Sequence, residues 1–457
     1  MKVFEASAPL WPVSHRLWRT MSISLALIAM AVSVAACGSS SSTASSPTGK
    51  VGGALTVWVD AVRLPAAKAY QTAHPNVNLN IVTFDGDGNG ATGLQGKINL
   101  WNQTGKGWPD VIFSEQVNDP VWMAQAPFNF AENLTNVIPQ SILSQWPAPS
   151  TAQCTYKGAV VCLQDNLAQD VLWVNTKLMS QFGYTTPTTW QEWQAIGEKV
   201  ATDHPGYIIG TIGESFSHWI YFWANQCPLE QFKSNGNLLI NSQDVHCTEM
   251  ASLLDPLIQD GSLPPVSIFS ADTAKTYGGA ADKFLMLPGP AWYSSQFAAT
   301  LKLPAGEWTA APPLSWNGQT PVTTGQVGGG PWIISKHSTN LATAADFVTW
   351  VTTVFNPPST SPDYRPGYPA YPPLATPWLA SMKADSYWSA DPTPALISAT
   401  SQIWTGWDLV TYPDQPVWSN TVITGLIAKK SLSSLMPALG QTLTQTATAA
   451  GYTVVSS

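Results

Sequence analysis

Three groups of side chains could grip a ligand that offers hydroxyls around its rim and C–H on its faces. Asp60 ends the apolar run VGGALTVWVD. Ser114, Glu115 and Gln116 follow Pro109-Asp110-Val111-Ile112-Phe113. Trp292 and Tyr293 follow Ala280–Leu287 and the pair Gly289-Pro290. A carboxylate accepts hydrogen bonds from two adjacent hydroxyls at once. Trp and Tyr offer a rigid flat face that loses little entropy on contact. Each residue also has a plainer use: Asp60 as a helix cap, Glu115 in a solvated loop, Trp292 in the core. Trp58, Trp173, Trp219 and Trp332 are more often core than contact, and of these Trp332 is kept as a ligand-binding candidate.

Other chemistries find less support. Neither a GxSxG nucleophile elbow nor an HExxH metal helix occurs in the sequence. A pair of catalytic carboxylates is spatial rather than sequential, so spacing alone does not address it. The run Asp85-Gly86-Asp87-Gly88-Asn89-Gly90 spells the front half of a calcium loop, but its twelfth position is Gly96, where a bidentate Glu belongs. A turn or ligand-facing loop is the better reading. No metal and no cofactor are expected.

The elements that must position these residues are legible in part. Residues 51–60 read as a strand, Arg63–Ala73 as a helix stopped by His74-Pro75-Asn76, and Val77–Phe84 as an alternating strand. Such a β-α-β opening implies a parallel sheet, and ligands of parallel sheets sit beyond the carboxyl ends of the strands. A helix over Leu94–Asn102 and a strand at Val111–Phe113 continue the pattern. Ala159–Leu163 and Val171–Val174 read as strands. Asn175 and Thr176 cap a short helix, Lys177–Phe182, ended by Gly183. Thr189 and Glu192 form a capping box for a helix running to Asp203. Further on come a strand at Tyr207–Thr211, helices at Trp219–Asn225 and Glu249–Asp260, an apolar strand at Trp332–Ile334 and a helix at Ala342–Thr353. A Pro/Tyr loop follows over Asn356–Pro377, then helices at Thr421–Lys430 and Leu432–Thr446.

The order of these pieces resembles the extracellular solute-binding proteins of carbohydrate ABC transporters. Asp170, Leu172, Asn175, Gly183, Pro187, Thr189, Trp190 and Glu192 match that family's central strand, helix, Gly and P-x-T-W-x-E pattern. Pro312, Gly329, Ile334, Lys336, Ala345 and Phe347 match a second element, a Pro-rich crossover leading through Gly-Gly to an apolar strand and helix. The likeness runs in scattered motifs over about residues 50–455. It implies an α/β, two-lobed periplasmic-binding-protein-like fold of type II, with interleaved lobes joined by a hinge. The lobes would comprise 51–163 with 317–354, and 164–316 with 355–457. It implies a carbohydrate ligand, ABC permease subunits as partners, no catalysis and a monomer. It adds Asp170 and Gly329 to Asp60, Glu115, Gln116, Trp292, Tyr293 and Trp332 as ligand-binding candidates, with capping of the hinge as the plainer use of Asp170; Arg365, in the Pro/Tyr loop, could also reach a ligand, although a surface salt bridge is its commoner use. A glycan-acting enzyme and a sensory binding subunit are the rival readings.

Composition and compartment agree. The 457 residues are 44% apolar and only 11% charged, with 22 Trp, which favours a neutral, amphipathic ligand. His15, Arg16 and Arg19 precede an apolar run, Ile23–Val34, that ends Val34-Ala35-Ala36-Cys37. This looks like a lipoprotein signal peptide over 1–36, with Cys37 taking the lipid and a Ser/Thr-rich tether over 37–50. One acyl chain binds a membrane only weakly, so such an anchor carries more than one. Removing 1–36 takes away Lys2, Arg16, Arg19 and Glu5, which leaves 17 basic against 27 acidic residues. With no basic stripe, nucleic acid is not an expected partner. Cys154, Cys162, Cys227 and Cys247 remain, an even count that outside the cytoplasm implies two disulfides. Three pairings are possible, and the local one, Cys154–Cys162 and Cys227–Cys247, is favoured; the first would close a hairpin around Lys157-Gly158. No CxxC or nearby His pair favours zinc.

Overall fold

The computed structural model describes residues 49–87, 92–357, 367–408 and 410–455. Leu55, Val57 and Val59 point inward along β1 (Gly53–Val59), with every second side chain on the other face. β2 (Val77–Thr83) pairs with it in parallel, from Gly53 opposite Val77 to Val59 opposite Thr83. A parallel neighbour needs a crossover, and the helix Leu64–Ala73 supplies it. Pro65 sits in its first turn, where a missing N–H costs nothing, and Ala66, Ala67 and Tyr70 are its buried face. β3 (Val111–Phe113) joins the far side of β1, also in parallel.

Next comes a two-strand hairpin, β4 (Thr155–Tyr156) and β5 (Ala159–Val160). Lys157 and Gly158 turn it with φ of 48° and 79°, the left-handed pair a tight hairpin needs. A disulfide between Cys154 and Cys162 closes its base, with Cα atoms 5.0 Å apart. The expected strand Ala159–Leu163 is thus split, because Leu163 begins a separate strand, β6 (Leu163–Gln164).

β7 (Asp170–Asn175) is buried along its whole length and is the middle of a second sheet. The small strands β8 (Gln231–Phe232) and β9 (Leu238–Leu239) follow, then β10 (Met286–Pro290) and β11 (Trp308–Ala311), which flank β7 on either side and run antiparallel to it. β12 (Pro331–Ile334) returns to the first sheet, antiparallel between β3 and β6, giving the order β2-β1-β3-β12-β6. Pro331 takes the first position of the strand, where proline is tolerated. β13 (Val454–Val455) pairs with β9. The chain therefore crosses from the first sheet to the second over residues 165–169 and returns over residues 312–330.

The central motif folds as its residues dictate. Asn175 accepts a hydrogen bond from the Leu178 N–H and caps Thr176–Phe182, and Gly183 ends that helix with φ 73°. Thr189 and Glu192 form a complete capping box at the start of Trp190–Asp203. The second disulfide, Cys227–Cys247, ties the loop after the helix Ser217–Tyr221 to the helix Val245–Asp260.

Some expectations need correction. The Pro/Tyr loop expected over Asn356–Pro377 gives way at its end to a helix, Pro372–Ala384, because proline is tolerated in a helix's first turn. Tyr207–Thr211 makes only an isolated bridge, Ile208 with Phe284, because Gly206 and Gly210 flank so short a run. The helix expected at Trp219–Asn225 is Ser217–Tyr221, and residues 222–226 are turn. The helix expected at Thr421–Lys430 starts earlier and stops sooner: Gln415–Trp418 and Thr424–Ile427 are α-helical, and Ser419–Ile423 between them is π-helical. The last helix, Leu432–Ala449, runs longer than expected and carries Pro437 in its second turn.

Candidate ligand-binding cleft

The carboxyl ends of β1 and β3 open onto a cavity of about 210 Å³ shared with the second sheet's side of the molecule. Val62 and Arg63, just past β1, and Glu115 and Gln116, just past β3, form one wall. The opposite wall is aromatic: Phe216, Trp219, Phe269 and Trp292. Residues 327–330 make the floor. Two of its glycines are required there. A Cβ on Gly329 would lie 2.7 Å from Gln164 Nε2, and one on Gly330 would lie 2.9 Å from Phe113 Cε2. Their φ of 141° and 60° would in any case strain another residue.

Arg63 is the hub of the polar wall. Its Nη1 lies 3.0 Å from Asp60 Oδ2 and its Nε 3.7 Å from Asp165 Oδ2, and its guanidinium sits 4.3 Å from the centre of the Phe113 ring. Burial works against the charge, but Asp60, Asp165 and Glu115 together outweigh it and raise the pKa above its ordinary value. Glu115 presents its side chain to the cleft. Loss of bulk water there pushes its pKa up to about 7; Arg63 opposes the shift, while Asp60 and Asp85 add to it. Near neutral pH Glu115 can therefore donate or accept. Gln116 Oε1 accepts a hydrogen bond from Gln415 Nε2 across the cleft at 2.7 Å.

Trp292 is half-buried. Its Nε1 donates to the Val327 carbonyl at 2.8 Å, which fixes the ring over the floor. Phe216 meets it edge-on at 6.0 Å and Phe269 lies nearly parallel at 6.2 Å. Phe269 is 47% exposed. Glu214 holds the Phe269 loop from behind, accepting from Ile268 N at 2.5 Å and Ser267 Oγ at 2.8 Å; burial pushes its pKa up to about 7.

Of the residues singled out from the sequence, Glu115, Gln116, Trp292 and Gly329 line this cavity. Asp60 stands behind it. Its Oδ1 accepts the Arg63 N–H at 2.7 Å and its Oδ2 pairs with the guanidinium, so it orients Arg63 instead of facing a ligand. Tyr293 turns inward over Gly289, where any Cβ would clash with its ring, and it is 1% exposed. Trp332 packs edge-on against Phe113 and Phe347 in the first sheet. Asp170 is buried beneath the second sheet; its carboxyl oxygens have no hydrogen-bond partner, and burial raises its pKa well above the ordinary range. These three fill the interior because their neighbours leave no path to the cleft. Arg365, Cys37, Asn89 and Gly90 lie outside the described residues. Among the described residues no group of acidic, His or Cys side chains could hold a metal ion.

Sequence reasoning missed Arg63, Phe216, Phe269 and Gln415. Arg63 carried a signal, three residues past the strand end at Asp60. The other three sit in irregular segments or at the edge of short helices, where periodicity is silent.

The model of the family described as bacterial extracellular solute-binding protein matches residues 55–354. No curated protein matches the sequence. Among solved structures, the chain is similar to the ABC transporter associated binding protein from B. animalis subsp. lactis Bl-04 in complex with β-1,6-galactobiose. Identity there is 17%, the TM-score 0.69, and the match covers 89% of this chain and 100% of that one. The galacto-N-biose-/lacto-N-biose I-binding protein from Bifidobacterium longum, in complex with lacto-N-biose, matches at 15% identity and TM-score 0.69, with the same coverages. The GacH receptor of Streptomyces glaucescens GLA.O matches at 15% and 0.65, covering 88% of this chain and 100% of that one. At such identities the likeness shows the fold, a two-lobed α/β architecture.

Proposed function

The chain belongs to the bacterial extracellular solute-binding protein family, and on that premise we propose that its cleft binds a neutral carbohydrate and delivers it to an ABC permease. The observation that carries this reading is the facing of two unlike walls. Trp292, Phe216 and Phe269 offer flat apolar area suited to the C–H face of a sugar ring. Glu115, Arg63, Gln116 and Gln415 offer donors and acceptors to its hydroxyls. Gly329 lets the floor approach closely. The proteins of similar fold named above are described with sugars or acarbose bound, which supports the same ligand class here.

Residues 51–163 with 317–354, and 164–316 with 355–457, are the lobes we propose to close about the ligand by a hinge. The return of β12 to the first sheet supports that division. The family's extracellular character fits an extracytoplasmic location, and no described helix is long and apolar enough to cross a membrane. Lipid attachment at Cys37 after removal of residues 1–36 and a monomeric state complete the proposal. Binding without catalysis is favoured because Glu115 is the only carboxylate among the residues lining the cavity, and Asp60 is held by Arg63.

The test is a thermal-shift and calorimetric screen against neutral mono- and oligosaccharides. Binding to the native state should raise the melting temperature. Absence of any shift with every saccharide, or turnover of one, would overturn the reading.

A further inference from the structure

Beside this cleft lies a second cavity, of about 460 Å³. It also opens between the two halves of the chain: Gln153 and Tyr156 come from the segment before β6, Trp404 and Trp407 from the irregular segment between the helices Thr393–Thr400 and Gln415–Trp418. Gln116 and Gln415, bonded to each other, line the first cavity, and Asn118 Nδ2, two residues past Gln116, donates to the Tyr412 carbonyl at 3.4 Å. Along one side they are joined by stacked indoles. Trp219, in the first cavity, lies 5.4 Å from Trp223, which lies 4.1 Å from Trp407 with planes 9° apart.

The chemistry of the second cavity repeats that of the first. Tyr156, Phe232, Trp404, Trp407 and Tyr452 supply aromatic surface. Gln153 donates to Gln326 Oε1 at 2.6 Å, and Gln326 donates to the Leu167 carbonyl at 2.6 Å, so a side-chain amide relay forms the polar side. Its charges are already engaged: Lys157 sits 5.1 Å over the Tyr156 ring, and Asp408 accepts the Phe232 N–H at 2.6 Å. Gly406 lets Trp404 lie flat against the backbone, since a Cβ there would fall 2.5 Å from the Trp404 Nε1. The Trp407 Nε1 is buried with no acceptor. Size points the same way. The first cavity alone is smaller than the roughly 300–1,000 Å³ usual for small-molecule sites, whereas the second falls within that range by itself.

We propose that the second cavity is a saccharide subsite, and that the cargo is an oligosaccharide long enough to occupy both cavities. The inference rests on the carbohydrate reading of the first cleft. The amides of Gln116 and Gln415, now bonded to each other, would exchange that bond for hydroxyls of the glycan passing between them.

The test uses the full chain and two ladders of neutral probes, malto-oligosaccharides and β-1,6-galacto-oligosaccharides, from one to six units. Wild-type affinity should climb at least about tenfold beyond the disaccharide. Trp404→Ala should flatten that climb yet hold the affinity for the shortest bound probe within about twofold. Trp404→Phe, which keeps a flat ring, should restore most of the climb and show that folding is intact. Trp292→Ala should weaken probes of every length. An affinity that peaks at one or two units, or a climb that Trp404→Ala leaves unchanged, overturns the subsite and spares the first cleft. No binding of any probe by the wild type overturns both.

Discussion

The wall of the cleft supplied by the first sheet is polar and internally bonded; the wall opposite is aromatic and has few polar bonds of its own. Arg63 is held by Asp60 and faces Asp165 and Glu115, so its position is set before any ligand arrives. The Trp292 indole has one hydrogen bond, to Val327, and otherwise meets the rings of Phe216, Phe269 and the buried Tyr293. The first wall therefore specifies geometry, and the second supplies area whose value is realised only when water is displaced. Sequence position does not separate such roles: Trp292 and Trp332 both follow glycine-containing turns near apolar strands, yet one faces the cleft and the other is fully buried.

The largest expected effects come from that pair of tryptophans. Trp332→Ala removes a core side chain and should cost roughly 3–5 kcal/mol of stability, read as a fall in the denaturation midpoint without ligand. Trp292→Ala should leave that midpoint nearly unchanged and weaken saccharide binding about 30-fold, for a loss of about 2 kcal/mol. The reverse pattern would exchange their assignments. Next, Arg63→Met strands Asp60 and Asp165 without their cation. A loss on the order of 3 kcal/mol is expected, and chemical denaturation that shows no loss would mean that the polar wall is not preorganised by this residue. Gln415→Ala removes one bond across the cleft, worth about 1 kcal/mol. If closure uses it, small-angle scattering of the ligand-free variant should show a larger radius of gyration than wild type.

The last effect concerns pH. Glu115 and Glu214 have folded pKa values raised to about 7, above their unfolded values near 4.5. Between those limits the folded state holds more protons than the unfolded one, so stability falls as pH rises through that window and levels off above about pH 7. Ligand-free protein should thus melt lower at pH 8 than at pH 5.5 from these two groups. Glu115→Gln, which cannot ionise, should reduce the difference; an unchanged difference would assign it to Glu214 or to other groups.

Much of the scaffold was legible because local signals agree with it. Asn175, Gly183, Thr189 and Glu192 cap and end helices as their residue types demand, and Lys157-Gly158 turns its hairpin within a disulfide whose pairing the spacing favoured. The site was legible only where it touches strand ends: Glu115, Gln116 and Trp292 were within reach of that rule, and Arg63 was one turn beyond it. Phe216, Phe269 and Gln415 were not, since they converge through irregular segments far apart in sequence. Asp170 and Tyr293 show the opposite failure. A family motif marks Asp170 and a strand end marks Tyr293, but β7 is buried on both faces, and Tyr293 opens a short helix past β10 with its ring turned inward over Gly289.

The insertion of β12 between β3 and β6 also bears on how the chain reaches this fold. Phe113 must wait for Trp332 as its neighbour, and Leu163 waits for the same residue. Until the intervening second sheet has been made, the edge of β3 stays open, with buried-type residues on an unpaired strand. Such distant pairings make folding slow, and open apolar edges invite association with other chains. A nascent chain stopped before Pro331 would carry its first sheet unfinished, so folding is delayed until most of the polypeptide has emerged.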